Sequence, residues 1–194
     1  MFAMSKPEFT HDPSVEPWNK PYKQWLTDNE KTWNGVATSA FVFDENRMLL
    51  VQRAPDDSMP NLWEPPGGAV DPEDVSILAG CAREVFEEAG LKVKRVKANV
   101  TLGLEKPELR DVFTNGAGNR LFVRFGFLVD VDEAEVKLDP IEHQAYVWAT
   151  EEDVKRGRIS IGDSGDDLFI PITTLNTKKF VMEAFRLRKL ETSS

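Results

Sequence analysis

The chain has 194 residues, a formal net charge of -9 at pH 7 and a hydrophobic fraction of 41%. This length suits one domain with a sizeable core and terminal extensions. The negative charge argues against broad binding to DNA or RNA backbones, because such binders carry a basic face. No apolar run approaches the length of a membrane span. The single cysteine, Cys81, excludes an intrachain disulfide and suits a reducing, cytoplasmic setting.

The chain opens with a predicted N-terminal extension, residues 1–33, ahead of a domain over residues 34–194. The first half of the extension is polar and contains several prolines, so we expect a flexible or loosely docked arm. Tyr22, Trp25 and Leu26 have the i, i+3, i+4 spacing of a short amphipathic helix. Aromatic residues in this segment are expected to pack on the domain. A homodimer contact or a wall of the substrate pocket are the alternatives.

Two strands at residues 36–43 and 48–52 are predicted to form a hairpin through the turn at residues 44–46. A short extended piece at residues 62–64 then leads into Pro65-Pro66-Gly67-Gly68. This proline and glycine run breaks any regular structure.

A helix is predicted over residues 74–89, with Asp74 as its N-cap and Gly90 ending it. The later predicted elements are a strand region at 93–104, a loop at 105–119, strands at 121–131 and 145–149, a short helix opening at 150–153, a polar loop at 163–167 and a closing helix at 174–190. Strands that alternate with helices, hairpins included, predict an α/β fold. Its mixed β-sheet would be covered by helices on both faces.

Three carboxylates, Glu84, Glu87 and Glu88, share an arc of about 100° on the predicted helix. A solvated acidic face normally mixes Glu with Lys, but Arg83 is the only base in this helix. Like charges at i, i+4 spacing are unfavourable, and so are acids near a helix C-terminus. A bound cation such as Mg²⁺, which prefers oxygen ligands, would remove these objections. The residue pattern alone leaves a solvated face and a metal site both open.

Other chemical motifs fit this sequence poorly. Gly67-Gly68 belongs to neither the phosphate-binding loop nor the dinucleotide-binding fingerprint. The two histidines, His11 and His143, are too few for a histidine-rich zinc site.

The segment from Arg83 to Leu91 matches the R-E-U-x-E-E-x-G-U half of the Nudix box, in which U is a bulky apolar residue. Pro66-Gly67-Gly68 matches the glycine start of that box, and residues 63–68 resemble the W-x-x-P-G-G approach to it. The chain therefore resembles the Nudix hydrolase family over residues 36–154. It looks most like fungal Nudix proteins of unassigned substrate. The resemblance implies the Nudix α/β/α sandwich with a mixed β-sheet.

The spacing within the box departs from the family pattern, which has a Glu six residues after the second glycine and eight before the arginine. Here Asp74 lies six residues after Gly68 but nine before Arg83. Either the loop carries one extra residue, or Glu73 or Asp74 replaces the usual Glu. In the family that acid supports the loop and pairs with the arginine. The change puts the loop geometry in question more than the chemistry, because the three helix acids are intact.

The resemblance also implies a Mg²⁺ or Mn²⁺ site with these ligands: Glu84, Glu87, Glu88 and a backbone carbonyl oxygen of Gly67 or Gly68. The metals would neutralise a diphosphate and activate a water for attack on phosphorus. Glu87 and Glu88 would then be catalytic as well as metal-binding. Arg83 would orient one of the box carboxylates, which is compatible with a simple ion pair to Glu87.

Glu142 is the candidate for the general base or an extra metal ligand, with His143 second. This rests on a Glu-His run before a Trp-containing strand, which many family members share. The alternative is that Glu142 is a solvated acid in a turn.

Substrate contacts are the least specific predictions. Arg53 is a candidate for binding a phosphate, and Phe113 or Trp63 for stacking on a base. Each of these residues also has a purely structural interpretation. The loop at residues 105–119 is long enough to determine specificity.

We therefore expect a Nudix pyrophosphohydrolase that cleaves the diphosphate linkage of a nucleoside diphosphate derivative or related small molecule. DNA and membranes are not expected as partners, and the sequence does not name the substrate. One alternative is a non-catalytic Nudix-fold module that binds a nucleotide. Another is an RNA decapping enzyme, against which the acidic chain and the lack of a basic stripe count.

Overall fold

A computed structural model describes residues 8–101, 111–132, 135–162 and 166–192. Its strands are β1 (Thr10–His11), β2 (Gly35–Asp44), β3 (Arg47–Arg53), β4 (Trp63–Glu64), β5 (Val93–Val100), β6 (Val112–Thr114), β7 (Leu121–Val131), β8 (His143–Thr150), β9 (Arg158–Ile161) and β10 (Asp166–Phe169). Its α-helices are α1 (Tyr22–Asp28), α2 (Ile77–Ala89), α3 (Glu151–Arg156) and α4 (Leu175–Thr192), and a 3₁₀ helix spans Pro13–Trp18.

Within these ranges, eight strands form one sheet whose main path runs β1-β5-β7-β2-β3-β4, with β6 paired to β7 and β8 to β3. β2 and β7 lie parallel at the centre, whereas β3 pairs antiparallel with β2, β4 and β8. β9 and β10 form a separate antiparallel hairpin. The predicted mixed sheet is therefore confirmed.

The strands carry a core on each face of the sheet, as β2 shows. Ala40 and Val42 belong to the core under α1 and α2, whereas Phe41 belongs to the core under α3 and α4. This follows from the strand geometry, in which successive side chains point to opposite faces. Helices therefore cover both faces, and the predicted α/β/α sandwich is confirmed.

The described part of the N-terminal extension is docked on the sheet, so the prediction of a flexible or loosely docked arm is wrong for these residues. β1 adds to the sheet edge by pairing in parallel with β5, and Val15 is fully buried. The Trp18 ring packs edge-on against Phe125, and α1 confirms the predicted short helix that contains Tyr22. Large aromatic side chains drive this docking, because each removes much apolar surface from water. The boundary between extension and domain stays a prediction.

The helix that carries the box acids starts later than predicted. α2 begins at Ile77, and the hydroxyl of Ser76 caps it by accepting a hydrogen bond from the backbone N–H of Ala79 at 3.0 Å. Asp74 is therefore not the N-cap, and its carboxylate has other partners in the site. Gly90 ends the helix in the left-handed conformation, with φ of 70°, as predicted.

Two smaller predictions also need correction. The predicted loop at residues 105–119 contains β6, and residues 102–110 lie outside the described ranges. Asp166 and Asp167 belong to β10 rather than to a polar loop.

The closing helix is confirmed, although Leu175 is exposed at its start and not part of its buried stripe. Among the described helices, none is long and apolar enough to cross a membrane.

The docked extension makes a direct stability prediction. Trp25 is only 6% exposed and its ring lies 4.8 Å from that of Phe125, whereas Leu175 is 80% exposed. Trp25→Ala should lower the free energy of unfolding by about 3–5 kcal/mol, because it leaves a cavity in the core. Leu175→Ala, as the control, should change it by less than about 0.5 kcal/mol. Urea denaturation measures both, and a Trp25→Ala protein of unchanged stability would contradict the docking.

Candidate active site

The proline and glycine segment between β4 and α2 runs unusually close to the central strand β2. The backbone N–H of Thr38 donates to the Gly68 carbonyl oxygen, and that of Ala40 donates to the Pro66 carbonyl oxygen, both at 2.8 Å. Gly67 has a φ of +148°, which residues with side chains rarely adopt. A Cβ on Gly67 would lie 2.2 Å from the Thr38 carbonyl oxygen. Only glycine permits this approach.

The glycine pair also receives two carboxylates from α2. The Gly67 N–H donates to Glu88 Oε2 at 2.7 Å. The carboxylate of Glu84 lies against Gly68, where a Cβ would come within 2.8 Å of Glu84 Oε2. Two carboxylates of one helix are thus seated on one turn, in space that side chains on the turn would occupy.

Arg83 holds the box together through several donors. Its guanidinium donates to Glu84 at 2.9 Å, to Glu87 at 2.7 Å and to the Ala69 carbonyl oxygen at 2.9 Å. It also donates twice to Asp74, at 3.0 and 3.2 Å. The residue therefore orients box carboxylates and makes the i, i+4 ion pair with Glu87 at the same time.

The sequence left open whether Glu73 or Asp74 replaces the usual Glu of the box. In the structure, Asp74 is the acid that pairs with Arg83. Its carboxylate pairs with Arg83 and accepts a hydrogen bond from the Asp71 N–H at 2.8 Å, whereas Glu73 is exposed. A Cβ on Gly80 would lie 2.8 Å from Asp74 Oδ2. This contact explains a glycine near the start of α2, where it would otherwise weaken the helix.

The structure brings Glu142 and His143 to the acids of α2. One carboxylate oxygen of Glu88, one of Glu142 and one ring nitrogen of His143 all lie within 4.8 Å of one another. The turn before β8 is tied to α2 by the backbone, since the Asp139 N–H donates to the Glu88 carbonyl oxygen at 3.3 Å. Glu142 is exposed and His143 is buried.

Burial disfavours the charged forms of two box acids. It raises the pKa of Glu84 to about 7, although the neighbouring Arg83 acts in the opposite direction. The pKa of Glu88 lies well above its ordinary value, again because of burial, and the hydrogen bond from Gly67 only partly offsets this. Nearby carboxylates, including Glu142, add to both shifts. Each acid therefore needs a proton or a cation to neutralise it.

Arg53 is engaged by the loop that follows β3. Its guanidinium pairs with Glu64 and with Asp57 and donates to the Ser58 carbonyl oxygen. Burial, followed by the positive charge of Arg53, lowers the pKa of His143 to about 4, so its ring is neutral at pH 7. A phosphate contact by Arg53 stays a prediction.

The two aromatic candidates have different positions. Phe113 on β6 is 40% exposed and stacks on Phe122, with ring centroids 5.9 Å apart. Part of the Phe113 side chain is therefore exposed to solvent, and its stacking on a base stays a prediction. Trp63 is 1% exposed and lies in the core under α3 and α4. It has no surface for a ligand, so the suggestion that it stacks on a base is wrong.

Sequence reasoning did not single out Glu64, an acid that interacts with both Arg53 and Glu88. It forms the ion pair with Arg53, burial raises its pKa, and its charge contributes to the pKa shift of Glu88. Its position in the sequence could have indicated a place in the site, because Glu64 follows Trp63 and directly precedes the segment Pro65-Pro66-Gly67-Gly68.

Comparison with known proteins identifies relatives in sequence and in fold. A 126-residue stretch is 30% identical to an m7GpppN-mRNA hydrolase NUDT17 of Xenopus laevis, over 61% of this chain and 42% of that protein. The chain spans less than half the length of the curated relatives it matches.

Two solved structures share the fold. A MutT NUDIX hydrolase from Burkholderia pseudomallei is 21% identical, with a TM-score of 0.54 over 77% of this chain and 96% of that one. An ADP-ribose pyrophosphatase from Streptococcus suis is 23% identical, with a TM-score of 0.53 over 80% and 92%. The NUDIX domain model matches residues 33–166. Because this match spans more than half of the chain, the protein belongs to the Nudix family, as its box motif predicted.

Proposed function

We propose that this Nudix protein is a metal-dependent hydrolase of the diphosphate linkage in a nucleoside diphosphate derivative or related small molecule. One observation carries the proposal: Glu84 and Glu88 are both buried against the Gly67-Gly68 turn, where burial penalises their charged forms. Acids kept in such a place cost stability unless a cation neutralises them. The proposal includes a small anionic substrate and, because the single cysteine suits a reducing compartment, a cytoplasmic location.

The donor set fits a hard divalent cation. Glu88 accepts a hydrogen bond from the Gly67 N–H, but within the described ranges no Lys or Arg pairs with it. Carboxylate oxygens are the ligands that Mg²⁺ and Mn²⁺ prefer. Bound there, such ions would polarise the phosphoryl group and neutralise its charge.

We assign the ligands as follows: Glu84, Glu87, Glu88, Glu142 and the carbonyl oxygen of Gly67. The Gly68 carbonyl oxygen already accepts the Thr38 N–H, so Gly67 is the better carbonyl donor. Arg83 keeps Glu84 and Glu87 in place through its hydrogen bonds to both. Glu142 is exposed beside Glu88, where it can accept the proton of an attacking water.

Hydrolysis of capped RNA is the second candidate function. The observation that favours it is the name of the NUDT17 relatives, which are m7GpppN-mRNA hydrolases. A cap contains a phosphoanhydride linkage, so the same metal chemistry would serve. The net charge of -9 disfavours it, because a long RNA adds many phosphates outside the site.

Removing the Glu88 charge tests catalysis. Glu88→Gln keeps the side-chain shape and an oxygen that can accept the Gly67 N–H, but it removes the carboxylate. We expect turnover to fall by about 10² or more. Glu45→Gln, in the exposed turn between β2 and β3, is the matched control and should keep full activity. Unchanged turnover in Glu88→Gln would contradict the assignment of Glu88 as a catalytic metal ligand, whereas a wild type without turnover would favour a binding module.

The free energy of unfolding should fall with rising pH without metal, and bound metal should offset this fall. Without metal, folded Glu84 keeps its proton up to about pH 7, whereas the unfolded chain releases it near the ordinary value of 4.5. The free energy of unfolding should therefore fall as the pH rises through this window. A cation replaces the proton, so stabilisation by Mg²⁺ should grow over the same range.

Urea denaturation at several pH values, with EDTA or with Mg²⁺, measures this linkage. Glu84→Gln should reduce the slope of the metal-free profile, since the amide does not titrate while Glu88 still contributes with its raised pKa, whereas Glu45→Gln should leave the slope unchanged. A metal-free stability that rises through this window would show that Glu84 is not penalised by burial.

A substrate panel separates the two candidate functions. ADP-ribose, sugar nucleotides, dinucleoside polyphosphates and an m7GpppN-capped RNA would be compared at equal concentration, with release of nucleotide or phosphate as the readout. We expect at least one small molecule to be cleaved about tenfold faster than the capped RNA, because the acidic surface repels the RNA chain. Faster cleavage of the capped RNA would favour the second candidate instead.

A further inference from the structure

The imidazole of His143 is a buried polar group without a visible purpose in the fold. The residue is 3% exposed, and within the described ranges neither ring nitrogen has a hydrogen-bond partner. Leaving such a group unsatisfied destabilises the folded state. A buried, unpaired ring of this kind calls for a ligand.

The backbone, not the imidazole, holds this turn in place. The His143 N–H donates to the Asp139 carbonyl oxygen at 2.9 Å, and the Asp139 N–H reaches the carbonyl oxygen of Glu88. The Glu142 carbonyl oxygen accepts the N–H of Ala54 at 2.8 Å. Backbone hydrogen bonds therefore fix the turn between α2 and the end of β3 without a hydrogen bond from the imidazole of His143.

The ring nitrogen has two neighbours that suit a shared cation. It lies within 4.8 Å of carboxylate oxygens of Glu88 and Glu142, which are themselves within 4.8 Å of each other. Ligands at about 2.0–2.2 Å from one ion lie about 3–4 Å apart. A small adjustment of these side chains would therefore seat one ion among all three.

We infer that His143 is a nitrogen ligand of one metal position, which it shares with Glu88 and Glu142. This rests on the proposed metal-dependent function and deepens it. Imidazole suits first-row transition ions, whereas Mg²⁺ favours positions made only of oxygen. This position therefore prefers Mn²⁺ over Mg²⁺, and His143 sets that preference.

Electron spin-echo spectroscopy of the full chain loaded with Mn²⁺ tests the inference without an activity assay. A coordinated imidazole gives ¹⁴N modulation, and the chain has only one other histidine, His11. We expect the modulation in the wild type and in His11→Gln, and its loss in His143→Gln. Titration calorimetry should show the ratio of Mn²⁺ to Mg²⁺ affinity falling about tenfold or more in His143→Gln.

Isotope labelling provides a second route that needs no variant, should His143→Gln fail to fold. In wild-type protein labelled with ¹⁵N only in histidine, the ¹⁴N modulation of the echo signal should be replaced by ¹⁵N modulation. Bound Mn²⁺ without any histidine modulation would overturn the inference and leave the proposed function standing. Modulation that persists in a folded His143→Gln would overturn it in the same way. Failure of the wild type to bind Mn²⁺ at all would overturn both.

Discussion

The close contact between the Gly67-Gly68 turn and strand β2 is the constraint on which the site depends. Hydrogen bonds from β2 hold the turn, and the turn in turn donates one from Gly67 to Glu88. A side chain on either glycine would collide with β2 or with Glu84. The turn thus fixes α2 relative to the sheet, and β3, which pairs with β8, brings Glu142 to the same place.

This arrangement places several carboxylates close together in a buried part of the molecule, where burial destabilises their charged forms. Arg83 pairs with Glu84 and Glu87 and is itself held by Asp74, but this pairing only partly offsets the effect of burial, which still raises the pKa of Glu84. Glu88 and His143 have no such cationic or hydrogen-bonding side-chain partner within the described residues. Local conflicts of this kind are expected where function, rather than folding, sets the residues.

Periodic patterns made most of the fold predictable. β7 was predicted with its observed bounds, because its long apolar run is broken at both ends by polar residues. The capping of α2 was mispredicted, because the sequence does not show that Arg83, one residue further along than in the family pattern, draws Asp74 away from the helix end. The meeting of Glu142 with Glu88 depends on the pairing of β8 with β3. No local pattern encodes such long-range register, whereas the family resemblance anticipated it.

Under the proposed function, the box would recognise only what all candidate substrates share, a diphosphate close to metal ions. Selection among them would then have to come from groups outside it, and the exposed Phe113, stacked on Phe122 at the β6 edge, stays the predicted candidate. The net charge of the chain would be a second factor in the selection of substrates. Each phosphate that metal ions do not neutralise meets a chain of charge -9, so repulsion grows with the length of a nucleic acid but stays small for a compact diphosphate. Under the proposed function, the net charge of the whole chain would therefore favour a compact, metal-bound diphosphate over a long polyanion.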